Sequence, residues 1–238
     1  MKENKIIVEP DSLLLSGDKT FFTLQGEGET IGKPAVFMRL HMCNLGCSWC
    51  DTKYTWDKTK SEYFSEPQRY PFDKVLKKIR TYPARRLVIT GGEPMLHVKP
   101  LTEFIKLIPD WDIEIETNGT IMPSEELLAK VRFNVSPKLE NSGNIKPLRY
   151  RPNVLSELNK YDKTSFKFVV VGPKDLFEID KIIEECKLDN DKIILMPEGV
   201  TQEAIAQHGG LVADICKRKG WRLVPRLQVM LWGSKRGK

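Results

Sequence analysis

The sequence predicts an α/β fold in which strands and helices alternate to form a partial barrel. Short apolar, β-branched runs recur along the chain of 238 residues, and segments with helical periodicity separate most of them. Polar loops rich in Gly and Pro follow successive strands, as they do at the catalytic end of barrel enzymes. Alternating strands and helices imply a parallel sheet. We therefore predict a partial (β/α)6 barrel of the TIM type with an N-terminal hairpin.

Six candidate strands follow in order, each short and apolar. They span residues 35–40, 86–90, 112–116, 132–136, 165–171 and 192–196. Helical periodicity marks residues 72–82, 101–108, 124–131, 175–186 and 201–220, and prolines followed by acidic residues predict helix starts at 123–126 and 173–175. Six units are two fewer than a full eightfold barrel contains, so an open doubly wound sheet is the alternative arrangement.

Two segments fall outside these units. Residues 13–32 precede the first strand and predict a short hairpin. Residues 57–70 are polar and aromatic, and predict an excursion between a cysteine-rich loop and the first helix. No internal repeat, low-complexity tract or Gly/Ser linker divides the chain, so we predict a single domain over residues 1–238.

Composition narrows the classes of function. No apolar run approaches ~18 residues and no charged-then-apolar leader opens the chain, which predicts a cytoplasmic protein with no membrane partner. The 38 basic and 32 acidic residues give a net charge of +6, without a dense basic stripe and interleaved aromatics. Direct nucleic-acid binding is therefore not indicated, and the excess charge either serves solubility or attracts an anionic small molecule.

Three of the five cysteines form a C-x3-C-x2-C pattern after the first strand, at Cys43, Cys47 and Cys50. Clustered thiols in a reducing compartment hold a metal more often than they form disulfides. A zinc site normally has four ligands, with His41 available as the fourth, or three ligands and an open catalytic position. A cluster of four irons held by three thiolates explains the three-cysteine loop better, because it keeps one iron open for catalysis. The remaining cysteines, Cys186 and Cys216, lie in helical segments and predict small core residues.

The cysteine pattern, with Trp49 just before the last thiol, resembles that of the radical S-adenosylmethionine (SAM) superfamily. The resemblance implies a 4Fe–4S cluster on Cys43, Cys47 and Cys50, with SAM chelating the open iron. Later loops resemble cofactor-binding motifs of that superfamily, namely residues 91–94 (GGEP), 136–138 (SPK) and 196–199 (MPEG). Glycine in such a loop permits close approach of the backbone to a ligand.

A longer set of motifs resembles one family within this superfamily, the 7-carboxy-7-deazaguanine synthases of queuosine biosynthesis. The motifs are QGEG (25–28), Arg39, CDT (50–52), TGGEP (90–94), ETNGT (116–120), SPK (136–138) and RLQVMLWGSKRG (226–237). The resemblance implies a carbon–nitrogen lyase that converts 6-carboxy-tetrahydropterin to 7-carboxy-7-deazaguanine with release of ammonia. In that reaction an adenosyl radical removes hydrogen from the carbon that bears the carboxylate, the ring contracts, and hydrogen return regenerates the cofactor.

The resemblance also implies the roles of individual residues. Substrate binding falls to Leu24, Gln25, Gly26, Glu27, Arg39 and Thr90, with Arg39 as a bidentate clamp on the substrate carboxylate. Cofactor binding falls to Trp49, Cys50, Asp51, Gly92, Glu93, Glu116, Asn118, Ser136, Pro137, Lys138, Met196, Pro197, Glu198 and Gly199. Thr52 is implied to hold a Mg²⁺ ion that also touches the substrate.

The same family implies a homodimer and an external electron donor such as flavodoxin. Two other functions explain part of the pattern. A glycyl-radical activating enzyme has the same cysteine spacing but no need of a pterin-binding QGEG segment. A zinc-stabilised binding module would use Cys43, Cys47, Cys50 and His41, and would give no purpose to the loops after later strands.

Overall fold

The structure is a computed structural model that describes residues 11–233 and 235–237. Within these residues one sheet contains nine strands, in the spatial order β3-β1-β2-β4-β5-β6-β7-β8-β9. The strands are β1 (Ser12–Leu24), β2 (Pro34–Leu40), β3 (Gln68–Pro71), β4 (Arg86–Gly91), β5 (Asp112–Thr117), β6 (Arg132–Val135), β7 (Thr164–Val170), β8 (Ile193–Pro197) and β9 (Arg222–Leu223).

The α-helices lie between and after these strands. They are α1 (Glu62–Ser65), α2 (Phe72–Ile79), α3 (Val98–Lys106), α4 (Glu125–Lys130), α5 (Lys146–Arg149), α6 (Pro152–Asn159), α7 (Asp175–Cys186), α8 (Gln202–Lys219) and α9 (Leu227–Trp232). The five helices predicted from periodicity are confirmed as α2, α3, α4, α7 and α8. In the described part of the chain, no helix has the length and apolar character needed to cross a membrane.

The six predicted strands are confirmed as β2 and β4 to β8, and all their neighbouring pairs are parallel. Their order in the sheet is their order in the chain. A doubly wound sheet reverses direction at a switch point, and this sheet has no such reversal among these strands. Because crossovers between parallel strands are right-handed as a rule, consecutive crossovers place the connecting helices on one face, and the sheet curves as a partial barrel.

The N-terminal hairpin exists, but its second arm differs from the prediction. The strand β1 pairs antiparallel with β2, for example Phe21 with Phe37, so residues 25–33 form the connecting loop. The excursion predicted at 57–70 also ends in a strand, because β3 pairs antiparallel with β1 at the edge of the sheet. The pairing of β1 with β3 joins segments distant in sequence, which local composition does not reveal.

The two faces of the parallel strands differ in chemistry because side chains alternate along a strand. Residues such as Val36, Ile89 and Phe133 face the helices and belong to the main apolar core. Cys186 and Cys216 lie in that core too, as predicted. The opposite face carries a small apolar group of Ala35, Phe37 and Val88 with Phe21, and then polar residues. The concave interior of the barrel therefore holds a polar cleft.

Candidate active site

The cleft opens at the carboxyl ends of the parallel strands and has a volume of about 250 Å³. All six predicted substrate residues line it, as do Thr52 and the three clustered cysteines. Of the predicted cofactor residues, the cleft is lined by Trp49, Cys50, Asp51, Gly92, Glu116, Asn118, Ser136, Lys138, Met196, Glu198 and Gly199. Three others, Glu93, Pro137 and Pro197, are buried beside it and are not among the lining residues.

The cysteine loop follows β2 and is held by contacts with residues near position 144. The backbone N–H of Gly46 donates to Asn144 Oδ1 at 2.9 Å, and Asn144 Nδ2 donates to Cys47 Sγ at 3.3 Å. Burial raises the pKa of the Cys43 thiol to about 12, and burial also raises the pKa of Cys47. None of the three thiols is in a disulfide. They are therefore available as soft ligands, and binding a metal would release their protons.

The geometry does not suit a zinc site. Among the described residues, no three His, Cys, Asp or Glu side chains are placed to bind one metal ion. His41 does not line the cleft; its ring packs against Tyr63 with 4.7 Å between centroids. In an iron–sulfur cluster each cysteine binds a different iron, so the three thiols need not converge on one point. The donor set therefore fits a 4Fe–4S cluster.

The GGEP loop packs against the backbone of the cysteine loop. The N–H groups of Gly92 and Glu93 donate to the carbonyls of Leu40 and Met42, at 3.1 and 2.7 Å. A Cβ atom on Gly92 would lie 1.9 Å from Met42 O, so no other residue fits there without moving the backbone. Glu93 stabilises the loop from within the protein, because its buried carboxylate accepts hydrogen bonds from Met95 N, Thr117 Oγ1 and Asn118 N.

We expect Gly92→Ala to displace the cysteine loop. The overlap with Met42 O should lower the free energy of unfolding by about 1–3 kcal/mol or more and reduce the iron bound per chain after reconstitution. Chemical denaturation and iron analysis measure the two effects. The matched control is Gly210→Ala in α8, where an added Cβ meets nothing within 4 Å and should stabilise the helix by about 0.5–1 kcal/mol. Normal iron content in Gly92→Ala would contradict this account.

Gln25, predicted to bind substrate, uses its side chain within the protein. Its Nε2 donates to Glu114 Oε1 at 2.7 Å and to Glu116 Oε1 at 3.1 Å, and its Oε1 accepts from the N–H of Glu27 at 3.1 Å. Thr90 Oγ1 donates to the other oxygen of Glu116 at 2.7 Å. Gln25 therefore fixes the two glutamates of β5, and Glu116 presents its remaining lone pairs to the cleft.

Glu27 is held by three partners that were not among the predicted site residues. Lys167 forms an ion pair with one carboxylate oxygen, and the other accepts from Arg226 Nε at 3.1 Å and Gln228 Nε2 at 2.8 Å. Burial alone would raise the pKa of the Glu27 carboxyl, but the two cations outweigh it and hold the pKa well below its usual range. Arg226 also pairs with Asp51 of the cysteine loop. This cluster therefore ties the C-terminal segment to both the QGEG and the cysteine segments.

Removal of Lys167 should be strongly destabilising, because Glu27 would lose one of its two cations in a buried place. We expect Lys167→Met to lower the free energy of unfolding by about 3–5 kcal/mol, and Glu27→Gln in the same chain to restore most of it. Denaturant titration measures both. The control is Lys181→Met, which breaks an exposed pair with Glu185 and should change stability by less than about 0.5 kcal/mol. Equal effects of the two Lys variants would refute the argument.

Four lining residues that were not among the predicted site residues had a sequence signal. Lys167 is a charge inside an apolar strand, and Arg226 and Gln228 belong to the C-terminal motif. Asn134 is a polar residue flanked by the apolar Phe133 and Val135 in β6. A polar side chain at an alternate position of a buried strand indicates a polar interior face.

Arg39 differs from these charges because its guanidinium is unused. No residue in the described part of the chain accepts a hydrogen bond from it; it lies over the Phe21 ring, 5.8 Å from the centroid. Across the cleft, Lys138 donates to Ser136 O and Oγ at 2.9 and 2.8 Å and lies over the Trp49 ring. Arg39 is thus a free fork of donors beside the cysteine loop, suited to an anionic ligand.

Comparison with known proteins agrees with this site. The Radical SAM superfamily matches residues 39–137, which run from Arg39 through the cysteine and GGEP loops to β6. A 7-carboxy-7-deazaguanine synthase from Pyrobaculum aerophilum is 34% identical over 222 residues, covering 92% of this chain and 95% of the relative. The chain belongs to the 7-carboxy-7-deazaguanine synthase family. A synthase of the same name from Halobacterium salinarum is 31% identical and covers 94% of this chain and 93% of its own.

The fold agrees with a solved member of the 7-carboxy-7-deazaguanine synthase family. The crystal structure of QueE from Escherichia coli superposes with a TM-score of 0.70 at 30% identity, over 95% of this chain and 99% of that one. Family membership makes the chain a radical SAM enzyme of the lyase class with a role in queuosine biosynthesis, and implies a 4Fe–4S cluster and SAM. It confirms the resemblance found in the sequence and favours that family over both alternative functions.

Proposed function

We propose that the protein converts 6-carboxy-tetrahydropterin to 7-carboxy-7-deazaguanine and ammonia. The observation that carries the proposal is the placement in one cleft of three available thiols and of the Arg39 guanidinium, which has no hydrogen-bond acceptor among the described residues. The first group suits an iron–sulfur cluster and the second suits a carboxylate substrate. The names of the relatives support the same reaction.

Cys43, Cys47 and Cys50 would hold the cluster, and the loops after β4, β6 and β8 would hold SAM. When bound and reduced, these groups supply the adenosyl radical that removes a hydrogen atom from the substrate. The lining residues Gly92, Ser136, Lys138 and Gly199 are the candidates for binding SAM. Lys138 would offer its ammonium group to the SAM carboxylate, and Gly92 lets the GGEP loop pack closely against the cysteine loop beside which SAM would bind.

Arg39 would bind and orient the substrate carboxylate. The guanidinium offers parallel donors that match a carboxylate in bidentate geometry. Phe21 and Phe37, whose rings stack with centroids 5.2 Å apart, form an apolar wall beside it. This wall would pack against the heterocycle and limit the access of water to the reacting carbon.

Thr52 would hold a Mg²⁺ ion that also binds the substrate carboxylate. Its hydroxyl lines the cleft, 3.5 Å from Cys50 Sγ, and hard cations prefer oxygen ligands. Asp51 is engaged with Arg226, so substrate oxygens and water would complete the shell. Turnover in the presence of a chelator, with and without added Mg²⁺, and the Mg²⁺ requirement of Thr52→Ala test this role.

The chain would act as a single domain that forms a cytoplasmic homodimer, reduced by an external one-electron donor such as flavodoxin. Support for the dimer comes from an apolar depression lined in part by Phe22, Leu24, Pro34 and Trp232, with Leu231 of the same helix half exposed. Light scattering of the purified protein tests the oligomeric state. Replacing dithionite by reduced flavodoxin tests the donor.

The deciding experiment is an anaerobic assay of the reconstituted and reduced protein. With SAM and 6-carboxy-tetrahydropterin, we expect 7-carboxy-7-deazaguanine in excess of the SAM consumed, as measured by mass spectrometry. Cleavage of SAM without that product would keep the radical chemistry and refute the proposed substrate. Absence of SAM cleavage by a protein with full iron content would refute both.

A further inference from the structure

The side chain of Asn134 is buried in the cleft with its hydrogen-bonding capacity unused. It is 1% exposed, and neither Oδ1 nor Nδ2 has a partner among the described residues. Leaving a buried amide unpaired is unfavourable, since its desolvation is not compensated. Such a group within a binding cleft is expected to meet its partner in the ligand.

The QGEG segment leaves space for this amide. Gly28 has a φ of +72°, and a Cβ atom there would lie 2.1 Å from Asn134 Nδ2. Only glycine adopts that conformation readily and also leaves the amide in place. The second glycine of the motif is therefore required by the position of Asn134.

Asn134 lies at one end of a row of polar residues from four neighbouring strands. Arg39 of β2 is in register with Thr90 of β4, and Glu116 of β5 is in register with Asn134 of β6. Thr90 Oγ1 donates to Glu116, which links the two pairs. With strands about 4.8 Å apart, three steps separate the Cα atoms of Arg39 and Asn134 by about 14 Å along the sheet.

This row has the polarity that an elongated carboxylated heterocycle requires. If Arg39 binds the carboxylate at one end, the opposite edge of the ring lies towards Glu116 and Asn134. Gln25 and Glu27 are engaged with protein partners, so they offer this edge fewer free polar atoms. Glu116 supplies acceptors, and Asn134 supplies a donor and an acceptor side by side.

We propose that Asn134, together with Glu116, recognises the 2-amino-4-oxo edge of the pterin ring, so that Glu116 binds the substrate rather than the cofactor to which its motif assigned it. Asn134 Nδ2 donates to the 4-oxo group, and Glu116 accepts from the adjacent ring N–H and the 2-amino group. The hydrogen bond from Asn134 makes it a specificity residue that distinguishes a 4-oxo from a 4-amino ring. This inference rests on the proposed function, because it presumes a pterin substrate.

The test compares two unreactive ligands, 6-carboxypterin and 2,4-diaminopteridine-6-carboxylate, which differ at the 4-position and in the adjacent ring proton. Anaerobic binding to the holoenzyme is measured by calorimetry. The wild-type protein should prefer 6-carboxypterin by about tenfold or more, and Asn134→Leu should reduce that preference at least about fivefold. Asn134→Asp, which replaces the donor by an acceptor, should shift the preference further towards the diamino ligand.

Asn134→Leu should fold, because it removes buried polar atoms that have no protein partner. The matched control is Ser165→Ala. Ser165 is in register with Asn134 and also has a buried, unpartnered hydroxyl, but it does not line the cleft. Ser165→Ala should leave the preference for 6-carboxypterin over the diamino ligand unchanged.

The outcomes separate the inference from the proposed function. If the wild-type protein makes 7-carboxy-7-deazaguanine and Asn134→Leu keeps the wild-type preference, the role of Asn134 is refuted and the reaction stands. If the wild-type holoenzyme neither binds 6-carboxypterin nor converts its tetrahydro form, the reaction itself is refuted and the inference falls with it.

Discussion

Cys47→Ala should yield a protein with no intact cluster and no detectable turnover. Cys47 is the middle thiol of the loop after β2, and it lines the cleft where Asn144 donates to its sulfur. Three thiolates must hold three irons of the cluster, and no fourth cysteine lies near enough to substitute, since Cys186 and Cys216 are in the apolar core. Loss of one ligand therefore removes both the redox centre and the site of SAM.

Three readouts check this result, namely iron per chain, the visible absorption of the reconstituted protein, and cleavage of SAM. The matched control is Cys216→Ala, which removes a buried thiol on α8 and should keep iron content and SAM cleavage. Should Cys47→Ala retain an intact cluster and normal turnover, the assignment of the three-cysteine loop as the catalytic centre would be wrong.

Arg39→Ala should produce the next largest effect, a selective loss of substrate binding. The guanidinium lines the cleft without a hydrogen-bond acceptor in the described part of the chain, so its removal breaks no ion pair of the fold. Truncating one partner of a buried charge pair costs about 2–5 kcal/mol, which is roughly a 30-fold or larger loss of affinity. The expected result is a large rise in KM for 6-carboxy-tetrahydropterin.

The informative comparison is with Arg39→Lys and with SAM cleavage in the absence of substrate. Lysine keeps the charge but not the bidentate geometry, so it should recover only part of the lost affinity. Substrate-independent SAM cleavage should stay near its wild-type rate in both variants. If cleavage falls as much as substrate affinity does, Arg39 acts on the cofactor or on the cysteine loop rather than on the substrate carboxylate.

The parallel strands were predictable because each is a local run with its own signal. The strands β2 and β4 to β8 are apolar and β-branched on the helix-facing side, and periodicity located α2, α3, α4, α7 and α8. The strands β1, β3 and β9 and the helices α5, α6 and α9 gave weaker signals. Two of these strands lie at the sheet edges, where pairing with a distant segment, rather than composition, decides the conformation.

The residues of the site also divide into those that local motifs locate and those that only long-range contacts bring together. The cysteines and the GGEP and SPK loops are contiguous motifs that could be located from the sequence, and all but three of their residues line the cleft. The exceptions are Glu93, whose buried carboxylate accepts a hydrogen bond from Thr117, and the buried Pro94 and Pro137. Pro197 in the less specific MPEG loop is also buried beside the cleft. The engagement of Gln25 by Glu114 joins residues 89 positions apart, and no local pattern marks it.

By itself the sequence determined the chemistry of this protein: three thiols at fixed short spacing, glycines where backbones meet, and polar loops after apolar strands. These features are local in the sequence and do not depend on the tertiary structure. Only the tertiary structure decided which polar groups remain for a ligand. Glu27 is neutralised by Arg226, 199 residues away, whereas Arg39 and Asn134 have no hydrogen-bond partner among the residues that the structure describes. Pairing of buried charges depends on distances between strands, and those distances exist only after the sheet has closed around them.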